Sequence, residues 1–236
     1  MNQEPRGQPS GPAGRAVGEA TASQDVGPAH RPLVVIVDDD QDVRMALAEL
    51  LESVSIDATT FASTRDWLES DVVDRPGCLV LDVRMPGSSG LDLQHHLARN
   101  GDPKPIIFLT GHGDIPMTVQ AMKAGAVDFL TKPVRDQTLL DAVATGIDRD
   151  LTQRAKARAV KRHLDLLAAL TPREHQVLAH VAHGRLNKQI AFELGISQIT
   201  VKLHRGNVMR KMQVNSVGEL IRAWEAIPRD LRERRS

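Results

Sequence analysis

Asp82 closes the apolar run Cys78-Leu-Val-Leu-Asp82 and is followed by Val83-Arg-Met-Pro86-Gly87. A carboxylate at the end of a buried strand, ahead of a Pro/Gly turn, is placed for chemistry, although most such residues only cap turns. Three other segments supply matching groups: Asp38-Asp39-Asp40, Thr110 and Lys132. Adjacent carboxylates repel one another and hold a hard divalent cation. Mg²⁺ suits such oxygen ligands, because it keeps several waters and takes only one or two carboxylates. On this reading Asp39 and Asp82 are direct ligands, Asp38 acts through water, and the backbone carbonyl of Arg84 completes the protein's share. Asp82 is then a nucleophile toward phosphorus, forming an acyl phosphate. Phosphoryl transfer rests on positioning and on neutralising the charge of the equatorial oxygens. Lys132 offers those oxygens an ammonium and Thr110 a hydroxyl. Taken singly, Thr110 is an ordinary strand-end residue, Lys132 a solvated lysine and Asp40 a helix cap; the conjunction carries the reading.

The apolar pattern supplies the elements that position these groups. Leu33–Val37 is a continuous β-branched run, as in a strand buried on both faces. Gln41–Ser53 places Val43, Ala46, Leu47, Leu50 and Leu51 at helical spacing. Ile56–Phe61, Cys78–Asp82, Ile106–Thr110 and Val127–Thr131 read as further strands. Ser63–Leu68, Ser89–Arg99, Ile115–Ala124 and Asp136–Asp150 read as helices. Five strands alternating with five helices predict an α/β fold, a doubly wound five-stranded parallel sheet, over residues 33–150. Such sheets bind ligands at the carboxyl ends of their strands, where Asp38, Asp82, Thr110 and Lys132 all fall.

The zero net charge hides an asymmetry. Residues 31–150 hold 11 Lys/Arg and 20 Asp/Glu, giving −9, whereas residues 151–236 hold 17 and 7, giving +10. Two domains with different partners are expected, and the basic half favours nucleic acid. Residues 1–32, rich in Pro, Gly, Ala, Ser and Gln, read as a disordered tail without the apolar stretch of a secretory signal. No apolar run is long enough to span a membrane. The single cysteine, Cys78, fits core packing and a reducing cytoplasm, the expected location.

Residues 151–168 lack Gly and Pro and read as a helical linker that can continue the fifth helix; an all-α helix-turn-helix domain follows over 169–228, then a frayed end over 229–236. Thr171-Pro172-Arg173-Glu174 is a capping box with Pro at the first helical position. Asn187 is expected to cap a helix that stops at Gly195, and Ser197 to cap the next, running to about Met212. In that helix Val201, Val208 and Met212 form a core stripe, flanked by Thr200, Lys202, His204, Arg205, Asn207, Arg210 and Lys211. A charged face is often merely solvated, but the helix-turn-helix pattern and the +10 balance point to a recognition helix for double-stranded DNA. Lys202, Arg205 and Arg210 are candidates for phosphates or guanine edges, and Asn207 for adenine. The basic half contains no catalytic constellation, so an enzymatic output is not expected.

Val37-Asp-Asp-Asp40, Leu81-Asp-Val-Arg-Met-Pro86, Leu109-Thr-Gly-His-Gly113 and Ala124-Gly-Ala-Val-Asp-Phe-Leu-Thr-Lys-Pro133 together resemble the receiver domain of bacterial two-component response regulators, most closely the FixJ subgroup. The resemblance implies phosphorylation of Asp82 by a sensor histidine kinase, with Mg²⁺ required. It gives Phe129 the place of an aromatic switch coupled to Thr110, here without a hydroxyl, and makes Arg84 and His112 neighbours that influence the acyl phosphate's lifetime. Leu170-Thr-Pro-Arg-Glu174, Asn187-Lys-Gln-Ile-Ala191, Leu194-Gly-Ile-Ser197 and Thr200-Val-Lys-Leu-His204 resemble a LuxR-type DNA-binding domain, in the order of the FixJ/NarL class. This adds Asn187, Lys188, Thr200 and His204 to the candidate DNA contacts, and assigns Ser216–Ala226 to dimer contacts, although Val217, Leu220, Ile221 and Trp224 can equally be core. The implied protein is a transcription regulator whose phosphorylation controls homodimer formation and promoter binding, with RNA polymerase as a further candidate partner. The alternative is a phosphotransfer or phosphate-sink protein with incidental DNA binding.

Overall fold

The structure is a computed structural model that describes residues 31–102, 104–111 and 113–233. Of the tail expected over residues 1–32, residues 1–30 lie outside the described residues, as do His112 and residues 234–236. Among the described residues, β1 (Leu33–Val37), β2 (Asp57–Phe61), β3 (Gly77–Leu81), β6 (Ile106–Thr110) and β7 (Asp128–Thr131) form one parallel sheet in the order β2-β1-β3-β6-β7. A two-stranded antiparallel hairpin, β4 (Arg84–Met85) with β5 (Ser88–Ser89), follows Asp82. Two-residue strands leave no periodicity to read, and the sequence reading does not contain them.

β1, β3 and β6 are buried at every position, as continuous apolar strands covered on both faces must be. Successive side chains point to opposite faces and so join separate cores. Val34 and Ile36 pack with Leu47 and Leu51 of α1 (Gln41–Ser53) and with Leu139 and Val143 of α5 (Asp136–Ala168). Val35 and Val37 pack with Leu93 and Leu97 of α3 (Gly90–Arg99) and Ala121 of α4 (Ile115–Lys123); α2 (Thr64–Leu68) contributes its Trp67 to the same layer. Gly146 lets α5 lie close on the sheet, since a Cβ there would fall 2.9 Å from Cys78 Cβ.

Register brings the candidate site together. Val37 pairs with Leu81, so the next residues, Asp38 and Asp82, emerge side by side, and the Asp82 N–H donates to the Val37 carbonyl at 2.9 Å. Thr110 pairs with Thr131, and the Lys132 N–H donates to the Thr110 carbonyl at 2.8 Å.

α5 is a single helix of 33 residues, so the helical linker expected over 151–168 does continue the fifth helix beyond Asp150. Nothing between them breaks a helix, and its final turns pack Leu164, Leu166 and Leu167 into the C-terminal core. That core is closed by α6 (Pro172–Ala182), α7 (Asn187–Leu194), α8 (Gln198–Lys211) and α9 (Val217–Glu225). The segment expected to fray from residue 229 forms α10 (Arg229–Glu233), because Leu231 covers the core and the Arg232 guanidinium lies 5.5 Å from the Trp224 ring centroid. Of the apolar residues of α9, Leu220 and Trp224 are buried in their own chain's core, and Ile221 is half-buried.

Candidate phosphoryl site and nucleic-acid interface

Lys132 Nζ donates to Asp38 Oδ2 at 2.6 Å and to Asp82 Oδ2 at 2.8 Å. Each carboxylate turns its other oxygen to the backbone: Asp38 Oδ1 accepts from the Asp40 N–H at 3.0 Å, and Asp82 Oδ1 from the Arg84 N–H at 3.1 Å. Asp38 and Asp82 are buried while Asp39 is exposed at the rim, and one carboxylate oxygen of each lies within 4.8 Å of the others. Burial pushes the Asp38 carboxyl above its ordinary range, against the opposing pull of Lys132 and the Asp40 N–H. Burial also works against the Lys132 ammonium, but Asp38 and Asp82 outweigh it and hold its pKa above the ordinary lysine value. Three carboxylates facing one ammonium leave the cleft negative and lined by oxygen donors. That donor set fits Mg²⁺.

Asp40 caps α1, its side chain accepting from the Asp42 and Val43 N–H groups. Thr110 is buried, and Gly113 separates it from Phe129: a Cβ at Gly113 would come 2.7 Å from Phe129 Cε1 and 3.5 Å from Thr110 Cγ2. The half-buried Phe129 ring also packs on Phe108, with centroids 5.9 Å apart.

In the basic half, Gly195 ends α7 at φ 64°, the left-handed conformation a tight turn needs, and Ser197 Oγ then accepts from the Thr200 N–H at 3.1 Å to start α8. Asn187 does not cap α7. Leu186 holds the cap position, its N–H donating to Gln189 Oε1 at 2.8 Å, and Asn187 is the first helical residue. Asn187 Oδ1 instead accepts from Arg205 at 2.7 Å. Lys211, flanking the core stripe, reaches back to the buried Glu174 of the α6 capping box at 2.6 Å. Val201, Val208 and Met212 are buried as expected. Lys188, Lys202 and Arg210 are exposed, whereas Thr200, His204 and Asn207 are half-buried, and Arg210 donates to Asn207 Oδ1 at 3.2 Å.

Residues 34–144 match the response regulator receiver domain, and residues 168–224 match the luxR family of bacterial regulatory proteins. Nodulation protein W of Bradyrhizobium diazoefficiens is 51% identical to this chain over 84% of it and 87% of its own length. Among solved structures, the response regulator StyR superposes with a TM-score of 0.73 at 47% identity, covering 83% of this chain and 98% of StyR. Full-length FixJ from B. japonicum gives a TM-score of 0.51 at 37% identity, over 84% of this chain and 97% of that one. The chain belongs to the FixJ-type response regulators. A FixJ-type regulator of this composition is a DNA-binding response regulator, a receiver followed by a LuxR-type domain. Among the described residues, no helix is long and apolar enough to cross a membrane.

In this FixJ-type chain, Asp38, Asp82 and Lys132 touch directly, Asp39 completes the acidic rim, and Thr110 fixes Lys132 through its carbonyl. The DNA candidates divide. Lys188, Lys202 and Arg210 stand on the surface, while Asn187 and Arg205 engage each other. Sequence reasoning missed Arg44, which donates to the Asp38 carbonyl at 2.7 Å; no spacing rule announces a partner six residues on that bonds a backbone oxygen. It also passed over Ile199 and Leu203, 80% and 64% exposed on α8. Their signal was present, as two apolar residues four apart on the side away from the core stripe.

Proposed function

We propose that Asp82 accepts a phosphoryl group from a sensor histidine kinase, and that the resulting acyl phosphate controls homodimer formation and promoter binding. The observation that carries this reading is the Lys132 ammonium shared between Asp38 and Asp82 at the strand ends. An Asp82 oxygen attacks phosphorus as the phosphorus–nitrogen bond to the kinase imidazole breaks, and the imidazole leaves with that electron pair. Asp38, Asp39 and Asp82, with the Arg84 carbonyl, are the residues to hold Mg²⁺, which when bound neutralises charge on the transferring group. Lys132 then exchanges a carboxylate oxygen for a phosphoryl oxygen, and the Thr110 hydroxyl donates to another. Movement of Thr110 presses on Gly113 and Phe129, so the switch works through packing, as a phenylalanine without a hydroxyl requires.

On the basic half, α8 enters the major groove and Lys188, Lys202 and Arg210 meet the DNA, with RNA polymerase the further partner of the promoter-bound dimer. Acetyl phosphate with Mg²⁺ should add one phosphoryl group to the wild type, seen by intact mass, and none to Asp82→Asn. Size exclusion and genome-wide footprinting then read dimerisation and promoter occupancy. Identical occupancy by wild type and Asp82→Asn sinks this reading and leaves the phosphate-sink alternative.

A further inference from the structure

The outward face of α8 is apolar over its first two turns. Helical geometry turns about 100° per residue, so Ile199 and Leu203 lie one turn apart on the same side, and Val201, two residues from each, points the opposite way. Val201 is fully buried, while Ile199 and Leu203 are 80% and 64% exposed. Continuing along this face, Gly206 presents no side chain, and a Cβ there would meet nothing within 4 Å. Arg210 follows one turn later, and Lys202 borders the face; both are exposed. The face is therefore a short apolar stripe flanked by cations.

Single exposed apolar residues need no explanation. Two of them in the first turns of a helix set to face a DNA groove do, because they displace the hydrogen-bonding side chains that read most bases. The major groove offers one apolar feature, the C5-methyl of thymine, and aliphatic side chains contact it. Recognition helices read bases from their N-terminal turns. Ile199 and Leu203 lie in the first two turns after the Ser197 cap, with Lys202 beside them to meet phosphate.

We propose that Ile199 and Leu203 are specificity-determining residues that read thymine methyl groups, so that this regulator selects its sites through apolar contact at two positions. The proposal rests on the reading that α8 enters the major groove. Bare Gly206 brings the helix backbone close to the base edges, and the arginine and lysine of the same face supply affinity without sequence information.

The test uses the full chain, treated with acetyl phosphate and Mg²⁺, to select sites from a random-sequence duplex pool. Each thymine of the enriched site is then replaced singly by deoxyuridine, which lacks only the methyl group. The wild type should lose about fourfold in affinity at one or two thymines, the value of one buried methyl. Ile199→Ala and Leu203→Ala should each become indifferent to one of those replacements. Both side chains are exposed, so thermal melting of the variants should match the wild type. Lys202→Ala should weaken binding to all sequences and lower the salt dependence, while methyl sensitivity persists. Affinity indifferent to every methyl, or methyl sensitivity retained in the double variant, overturns the proposal. Failure to enrich any sequence overturns the groove-binding reading itself, and the proposal with it.

Discussion

Asn187 and Arg205 are joined by a hydrogen bond of 2.7 Å that ties the first turn of α7 to the middle of α8. Both were candidate DNA contacts on sequence grounds. Together with the Lys211–Glu174 pair, which ties the far end of α8 to α6, this bond fixes the angle at which α8 leaves the domain. Arg205→Ala and Asn187→Ala should therefore each lower stability by about 1–2 kcal/mol in urea unfolding, as for a hydrogen bond to a charged group. The double variant should cost little more than either alone. Additive losses would mean that the two side chains act separately.

Acid should act on the two halves with opposite sign. Burial pushes the Glu174 carboxyl up, but the Lys211 ammonium and the Thr171 N–H outweigh it and hold the pKa below the ordinary 4.5. Its contribution is complete above pH 4.5 and is lost as pH falls through the lower folded value. Glu174→Gln should cost roughly 1–3 kcal/mol at neutral pH and progressively less on acidification. Asp38 is raised above its ordinary 3.8, chiefly by burial, so its ionised form opposes folding. Asp38→Asn should raise the melting temperature at neutral pH, with the gain shrinking as pH falls through the raised value and the wild-type carboxyl becomes neutral. Melting curves across acid to neutral pH check both; a gain for Asp38→Asn that grows on acidification contradicts the second.

Arg154 binds α5 to the base of the sheet. Its Nε donates to Asp150 at 2.7 Å and its guanidinium pairs with Asp74, while the buried Asp150 also accepts from the Gly77 N–H at 2.8 Å. Asp150 and Arg154 lie beyond the segment that matches a receiver domain, which ends at residue 144, whereas Asp74 and Gly77 lie within it. Arg154→Ala leaves a buried carboxylate without its cation and should cost about 2–3 kcal/mol, since one end of the pair is partly wet. Asp150→Asn in the same chain should recover part of the loss. Hydrogen exchange within residues 151–163 should rise in the single variant and fall back in the double.

Gly113→Ala places a methyl 2.7 Å from Phe129 Cε1. The ring has to move, at a cost of about 1–3 kcal/mol for an overpacked contact. Phe129→Leu should relieve it. If packing alone couples Thr110 to Phe129, Gly113→Ala should also alter phosphorylation-dependent dimerisation, measured by size exclusion after acetyl phosphate. Unchanged stability and unchanged dimerisation would place Phe129 outside the coupling.

Much of the sheet and the acidic site was legible in the sequence, because apolar runs and carboxyl-end residues are local signals. β1 and β6 have the expected bounds, and β3 ends one residue early, leaving Asp82 as the first residue beyond the strand. The Thr171 capping box and the Gly195 turn are likewise written in adjacent residues. The missed cap at Asn187 has a physical cause: Gln189 satisfies the Leu186 N–H, which frees the asparagine amide for a partner 18 residues away. Side-chain pairs at such distances leave no periodic trace. The sequence by itself determined which chemical groups stand at the strand ends and which helix carries the basic face. Only the tertiary structure decided how those groups divide their partners: Lys132 between Asp38 and Asp82, Arg205 to Asn187, Lys211 to Glu174, and Ile199 and Leu203 to no core. Local propensity sets the elements, but partner choice depends on the register and angle at which separate elements pack.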